Sequence, residues 1–179
     1  ESCRIPESST PHPDSVYAIG KFEAERLLIN NAVDTTIARC FSFVGPYLPL
    51  DKYYPIGNFI NDVINNHPLI IKGDGTPKRS YMYTADLMIW LWTILLNGRT
   101  NEIYNVGSED PISVPDLAKT VIEESGSALN YETHKLPSDN ALPTSYIPST
   151  QKAQEELGLK HSFSLPESIK RTIAWTKQY

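Results

Sequence analysis

Residues 11–46 read PHPDSVYAIGKFEAERLLINNAVDTTIARCFSFVGP, and this stretch decides the fold. Asp14 and Ser15 are good helix N-caps, so a helix is expected from there through residues 15–31. Glu23, Glu25 and Arg26 mark its wet side. Asp34–Val44 is rich in β-branched and aromatic residues and is expected to be a strand, ended by Gly45-Pro46. Before it, residues 1–13 form an extended, Pro-rich loop.

The same alternation continues outward. A helix is expected over Ile56–Asn65, then two short strands, Pro68–Gly73 and Arg79–Thr84, around the turn GDGTPK. Ala85–Asn97 predicts a very apolar, buried helix closed by Gly98, with Asp86 as its cap and Trp90 and Trp92 in the core. Glu102–Val106 is a strand, Val114–Glu124 a helix capped by Ser113, and Tyr131–Leu136 a further strand. Ser149–Leu157 and Leu165–Tyr179 close the chain as helices, with Pro166 in the first turn of the second. Strands alternating with helices argue for an α/β fold with parallel pairing.

With 179 residues the chain is about one domain long and long enough for a real core. Hydrophobic residues make up 40%, which argues against intrinsic disorder. A net charge of −5 lowers the prior for nucleic-acid binding, which needs a basic face. The longest apolar run, Leu87 to Leu96, is too short to cross a bilayer, so no membrane partner is expected. Cys3 and Cys40 form no close motif and no N-glycosylation sequon exists, which fits a cytoplasmic location.

Several chemistries lack their residues. Gly73-Asp74-Gly75 is the only G-x-G, and Lys78 stands where a dinucleotide loop needs its third glycine. His12, His67, His134 and His161 lack ligand spacing, so no metal site is expected. What remains is Tyr17 and Lys21, four residues apart and therefore on one helix face, about 6 Å apart along the axis. An ammonium near a phenol favours the phenolate, and such a tyrosine can carry a proton while hydride moves. The spacing alone is unspecific: Tyr131 and Lys135 share it, there on an expected strand, and a solvated helix face explains either pair.

Context adds specificity. PHPDSVYAIGKFEAERLL resembles the active-site helix of the extended short-chain dehydrogenase/reductase family. Further strings match that family in order: Arg39–Pro46 (RCFSFVGP), Gly73-Asp74-Gly75 with Arg79, Tyr83 and Asp86, Glu102–Gly107 (EIYNVG), and Gln151–Leu159 (QKAQEELGL). Ser42 stands where the family usually has Asn, and Tyr146-Ile147-Pro148 where many members carry an Arg and an Asp. The family's glycine-rich NAD loop and its catalytic Ser or Thr lie well ahead of the tyrosine; Ser8, Ser9 and Thr10 are too close to be that residue.

The resemblance implies a partial doubly wound, Rossmann-like NAD-binding fold lacking its N-terminal half, plus a smaller α/β substrate-binding lobe. Residues 1–46 and 85–108 would belong to the first, and 47–84 and 109–179 to the second. It implies an NAD(P)-dependent nucleotide-sugar epimerase or dehydratase, with NAD or NADP as cofactor and a nucleotide-diphosphate sugar as substrate. Tyr17 would be the acid/base, and Lys21 would bind the nicotinamide ribose. Phe41 and Ser42 would lie beside nicotinamide and substrate, and Asn58 and Phe59 would touch the nucleotide. Ile70 to Lys72 would flank the base, and Arg79 would grip the diphosphate. Helix capping by Asn58 and a plain surface role for Arg79 are the bland alternatives. A 4-keto reductase, or a non-catalytic module or inactive fragment, are the other functional readings. A homodimer through the active-site helix is implied by resemblance. The isolated chain is expected to expose an apolar sheet edge, to self-associate, and to bind no NAD by itself.

Overall fold

The computed structural model describes residues 4–29, 34–51, 54–134 and 145–178. Ser15 starts α1 (Val16–Ile29) by accepting the Ala18 N–H at 3.2 Å. The strand expected over 34–44 forms as two pieces, β1 (Thr36–Cys40) and β2 (Phe43–Val44). Pro55 opens α2 (Pro55–Ile64), since a first-turn residue needs no N–H partner. Three short strands follow, β3 (Leu69–Ile71), β4 (Lys78–Arg79) and β5 (Met82–Tyr83), and then α3 (Thr84–Asn97). β6 (Glu102–Val106) and β7 (Ile112–Ser113) precede α4 (Val114–Ser125), where Ser113 caps the helix by accepting the Asp116 N–H. β8 (Tyr131–Thr133), β9 (Ser145–Tyr146), α5 (Gln151–Leu157) and α6 (Leu165–Thr176) complete the order; Ser164 caps α6 and Pro166 sits in its first turn.

β1 and β6 pair in parallel, from Thr36 opposite Glu102 to Cys40 opposite Val106. A parallel pair needs a long crossover, and α3 lies within it. Side chains alternate between the two faces of this pair. Ala38, Tyr104 and Val106 pack against Trp90 and Ile94 of α3 and Ala153 of α5. Arg39 and Asn105 turn to the opposite face, where Arg39 meets Glu25 of α1 and Asn105 meets the strap around Ile5 and Glu7. A second core joins Ile56, Phe59, Ile60 and Val63 of α2 to Leu117 and Val121 of α4, Ile169 and Ile173 of α6, and Leu69 and Ile71 of β3. The spacing of the α2 residues is one helical stripe.

Four expectations are corrected. α3 is apolar in composition but not buried all round: Trp90 and Ile94 are buried one turn apart, whereas Met88, Ile89, Trp92, Leu95 and Leu96 are exposed. The helix meets the sheet through a single face, so Trp92 stays 58% exposed. Asp86 does not cap α3; it is buried and accepts the N–H groups of Ser162 and Phe163, tying down the segment that leads into α6. Asn58 lies inside α2 rather than at its cap, because Pro55 starts the helix earlier. β3 and β4 do not pair across the GDGTPK turn: β3 pairs with β8, and β4 with β7 and β9. Asp74 redirects the chain there by accepting both the N–H and the hydroxyl of Thr76. Among the described residues, β1 has a strand neighbour on one side only, β6.

The two tryptophans of α3 give a direct check. Trp90→Ala removes a fully buried indole whose Nε1 donates to the Lys160 carbonyl at 3.1 Å. It should cost about 3–5 kcal/mol in urea denaturation, whereas Trp92→Ala should change stability by about 0.5 kcal/mol. Equal costs would contradict this orientation of α3.

Candidate active site

Tyr17 and Lys21 occupy successive turns of α1, with the Lys21 Nζ 5.7 Å from the centre of the Tyr17 ring, within cation–π range. Tyr17 is 75% exposed, and no described residue of α1 is buried. At the carboxyl end of β1, burial pushes the Cys40 thiol up, and the Lys21 ammonium pulls it part of the way back. Of the other Tyr–Lys pair, Tyr131 lies in β8 and Lys135 lies outside the described residues.

Beyond Cys40 the chain enters an open cleft of about 1480 Å³. Phe41, Ser42, Asn58, Phe59, Lys72 and Arg79, six of the residues singled out from the sequence, all line it. Phe59 is 2% exposed and belongs to the core beneath, so it shapes the floor. On β3, Ile70 faces out and Ile71 into the core, with Lys72 exposed beyond them. Asp51, Asp62 and Asp74 share the lining, which gives the cleft both signs of charge. Burial raises the Asp62 carboxyl, while His67 and Lys72 draw it down. The described residues contain no cluster of three or more His, Cys, Asp or Glu able to hold a metal ion. None of their helices is long and apolar enough to cross a membrane.

Two sets of contacts escaped the sequence reading. Tyr146 lines the cleft with its ring 4.7 Å from that of Phe41 and 5.9 Å from the Arg79 guanidinium. Its phenol is raised by burial, drawn down by Arg79 and Arg39, and pushed up by Tyr17. Glu25, expected on the wet side, is instead sheltered by Arg39. The Arg39 Nε and Nη2 donate to the two Glu25 carboxylate oxygens at 3.0 and 2.5 Å. Both depend on partners distant in sequence, which local patterns do not reveal.

Residues 2–107 match the NAD dependent epimerase/dehydratase family. The chain belongs to that family. It is 30% identical over 164 residues to UDP-glucuronic acid decarboxylase 1 of Arabidopsis thaliana, covering 89% of this chain and 37% of that protein. With human dTDP-D-glucose 4,6-dehydratase it shares 30% identity over 181 residues, covering 96% of this chain and 51% of the relative. Its fold is similar to that of the UDP-glucose 4-epimerase of Thermotoga maritima solved with UDP-glucose. There the TM-score is 0.85 at 26% identity, over 99% of this chain and 58% of the epimerase chain. The chain therefore spans between 37% and 58% of the length of these proteins.

One titration tests the cleft floor. Tyr81 is buried, and burial pushes its phenol up to about 12 although Arg79 pulls it back. An unfolded tyrosine ionises near about 10. The contribution of Tyr81 to stability is therefore complete below about pH 10 and lost as pH rises towards about 12. Urea denaturation at about pH 9 and about pH 11 should show a smaller alkaline loss for Tyr81→Phe than for the wild type. An equal loss would place that phenol in solvent.

Proposed function

We propose that this chain carries the acid/base helix and the substrate cleft of an NAD(P)-dependent nucleotide-sugar epimerase or dehydratase. The observation that carries the reading is the Tyr17–Lys21 pair on one helix stripe, beside a strand whose carboxyl end runs into the cleft. In α/β folds, ligands bind beyond the carboxyl ends of parallel strands. Membership of the epimerase/dehydratase family, and a fold like that of an epimerase solved with UDP-glucose, support the same conclusion.

In this reading residues 1–46 and 85–108 form the remainder of the dinucleotide-binding fold, and 47–84 with 109–179 the substrate lobe. NAD or NADP, when bound, supplies a hydride acceptor and later a donor. Lys21 donates to the nicotinamide ribose hydroxyls, with Phe41 and Ser42 beside the ring and the sugar. Tyr17, as the phenolate, takes the proton from the sugar hydroxyl whose carbon is oxidised, and in an epimerisation its phenol returns that proton once the sugar has been inverted. Arg79 and Lys72 balance the diphosphate charge, Arg79 through its planar fork of donors. Asn58 offers an amide to the nucleotide, and Ile70 an exposed apolar surface to its base. A homodimer through α1 belongs to the same proposal, supported by the exposed Val16, Ile19, Leu27 and Leu28 on that helix. So does a cytoplasmic location, which the free thiol of Cys40 fits.

The test is Tyr17→Phe in the full-length protein, assayed with UDP- and dTDP-hexoses. Turnover should fall roughly 10²–10⁴-fold, with nucleotide-sugar binding by calorimetry little changed. Near-normal turnover would remove the phenol from the mechanism.

A further inference from the structure

We infer that the Arg39–Glu25 ion pair sets the position of α1 on the sheet, making both residues positioning residues for Tyr17 and Lys21. The catalytic part of this inference rests on the function proposed above. No residue of α1 is fully buried; Ala18, Phe22 and Ile29 are half-buried on the stripe that also carries Glu25. That stripe holds a sheltered polar contact: the side chains of Glu25 and Arg39 are 14% and 21% exposed. The bond is a two-pronged fork, with Nε to Oε2 at 3.0 Å and Nη2 to Oε1 at 2.5 Å. A fork fixes angle as well as distance.

Arg39 is itself held. Its Nη1 donates to the Glu7 carbonyl at 2.8 Å, and its backbone lies in β1 opposite Asn105. The Asn105 N–H donates to the Glu7 carboxylate, and its side-chain amide donates to the carbonyls of Ile5 and Ser149. Position therefore passes from the sheet through Arg39 to Glu25. Tyr17, Lys21 and Glu25 follow one another at intervals of four residues, on one stripe of the helix. Rolling the helix at Glu25 moves the Tyr17 hydroxyl, and a displacement of about 1 Å at a reacting group can cost roughly 10²-fold in rate.

Hydrogen exchange on this chain tests the anchoring. In Glu25→Gln and in Arg39→Lys, which keeps the charge but not the fork, the α1 amides should exchange about tenfold faster or more. Amides of β6 and α2 should keep their rates. Wild-type exchange across α1 in both variants overturns the inference. Equal acceleration everywhere also overturns it, by making the pair a general stabiliser. In the full-length protein the same variants should lower kcat about tenfold or more and leave KM for the nucleotide sugar nearly unchanged. A loosened α1 with unchanged kcat contradicts the positioning role. A wild-type protein without turnover would instead defeat the proposed function, leaving exchange to decide the anchoring.

Discussion

Between Cys40 and Phe43 the chain changes hydrogen-bonding partners. The Phe41 N–H still donates to the Val106 carbonyl at 3.0 Å, extending the β1–β6 ladder, while the Ser42 carbonyl already accepts the Met82 N–H at 3.0 Å. β2 then runs parallel to β5 rather than β6. Two strands diverging at their carboxyl ends leave backbone that faces a crevice instead of a third strand. This one exchange of partners brings Phe41 and Ser42 into the cleft and starts the passage from one core to the other.

The two cores make the rest of the site possible. The first, around Trp90, Tyr104 and Val106, fixes β1 and β6 from one side and leaves Arg39 and Asn105 free to work on the other. The second, around Ile60, Leu117 and Ile169, supports the α2 wall that carries Asn58 and Phe59. Arg79 and Tyr146 are opposite one another in the β4–β9 pairing, so that strand contact builds one edge of the cleft. Gly45 permits the close packing at the branch point, where a side chain would collide with the Thr84 hydroxyl at the start of α3.

Much of this was legible in the residues. Ser15 and Ser113 announced helix starts, because a capping hydroxyl acts on neighbours two or three positions away. Glu102–Val106 was readable as a strand from its composition, and the Tyr17–Lys21 stripe followed from helical pitch. The failures share one cause. Phe41 and Ser42 look like strand residues, and only the position of Met82 shows where the ladder changes. Glu25 looks solvated until Arg39 is opposite it, and Asp86 looks like a cap until Ser162 and Phe163 present their N–H groups. α3 carries apolar residues on every side, so periodicity could not choose between Trp90 and Trp92. Tyr146 stood out only as a departure from the family pattern, since its partners Phe41 and Arg79 are distant in sequence.

The central claim is that the cleft at the diverging strand ends takes a nucleotide diphosphate beside Tyr17. Amide chemical-shift mapping by NMR, with UDP and dTDP titrated onto this chain, tests it most directly. The account predicts saturable shifts at Ser42, Asn58, Lys72 and Arg79, attenuated in Arg79→Met. Shifts confined to residues outside the cleft, or none at millimolar nucleotide, would contradict it.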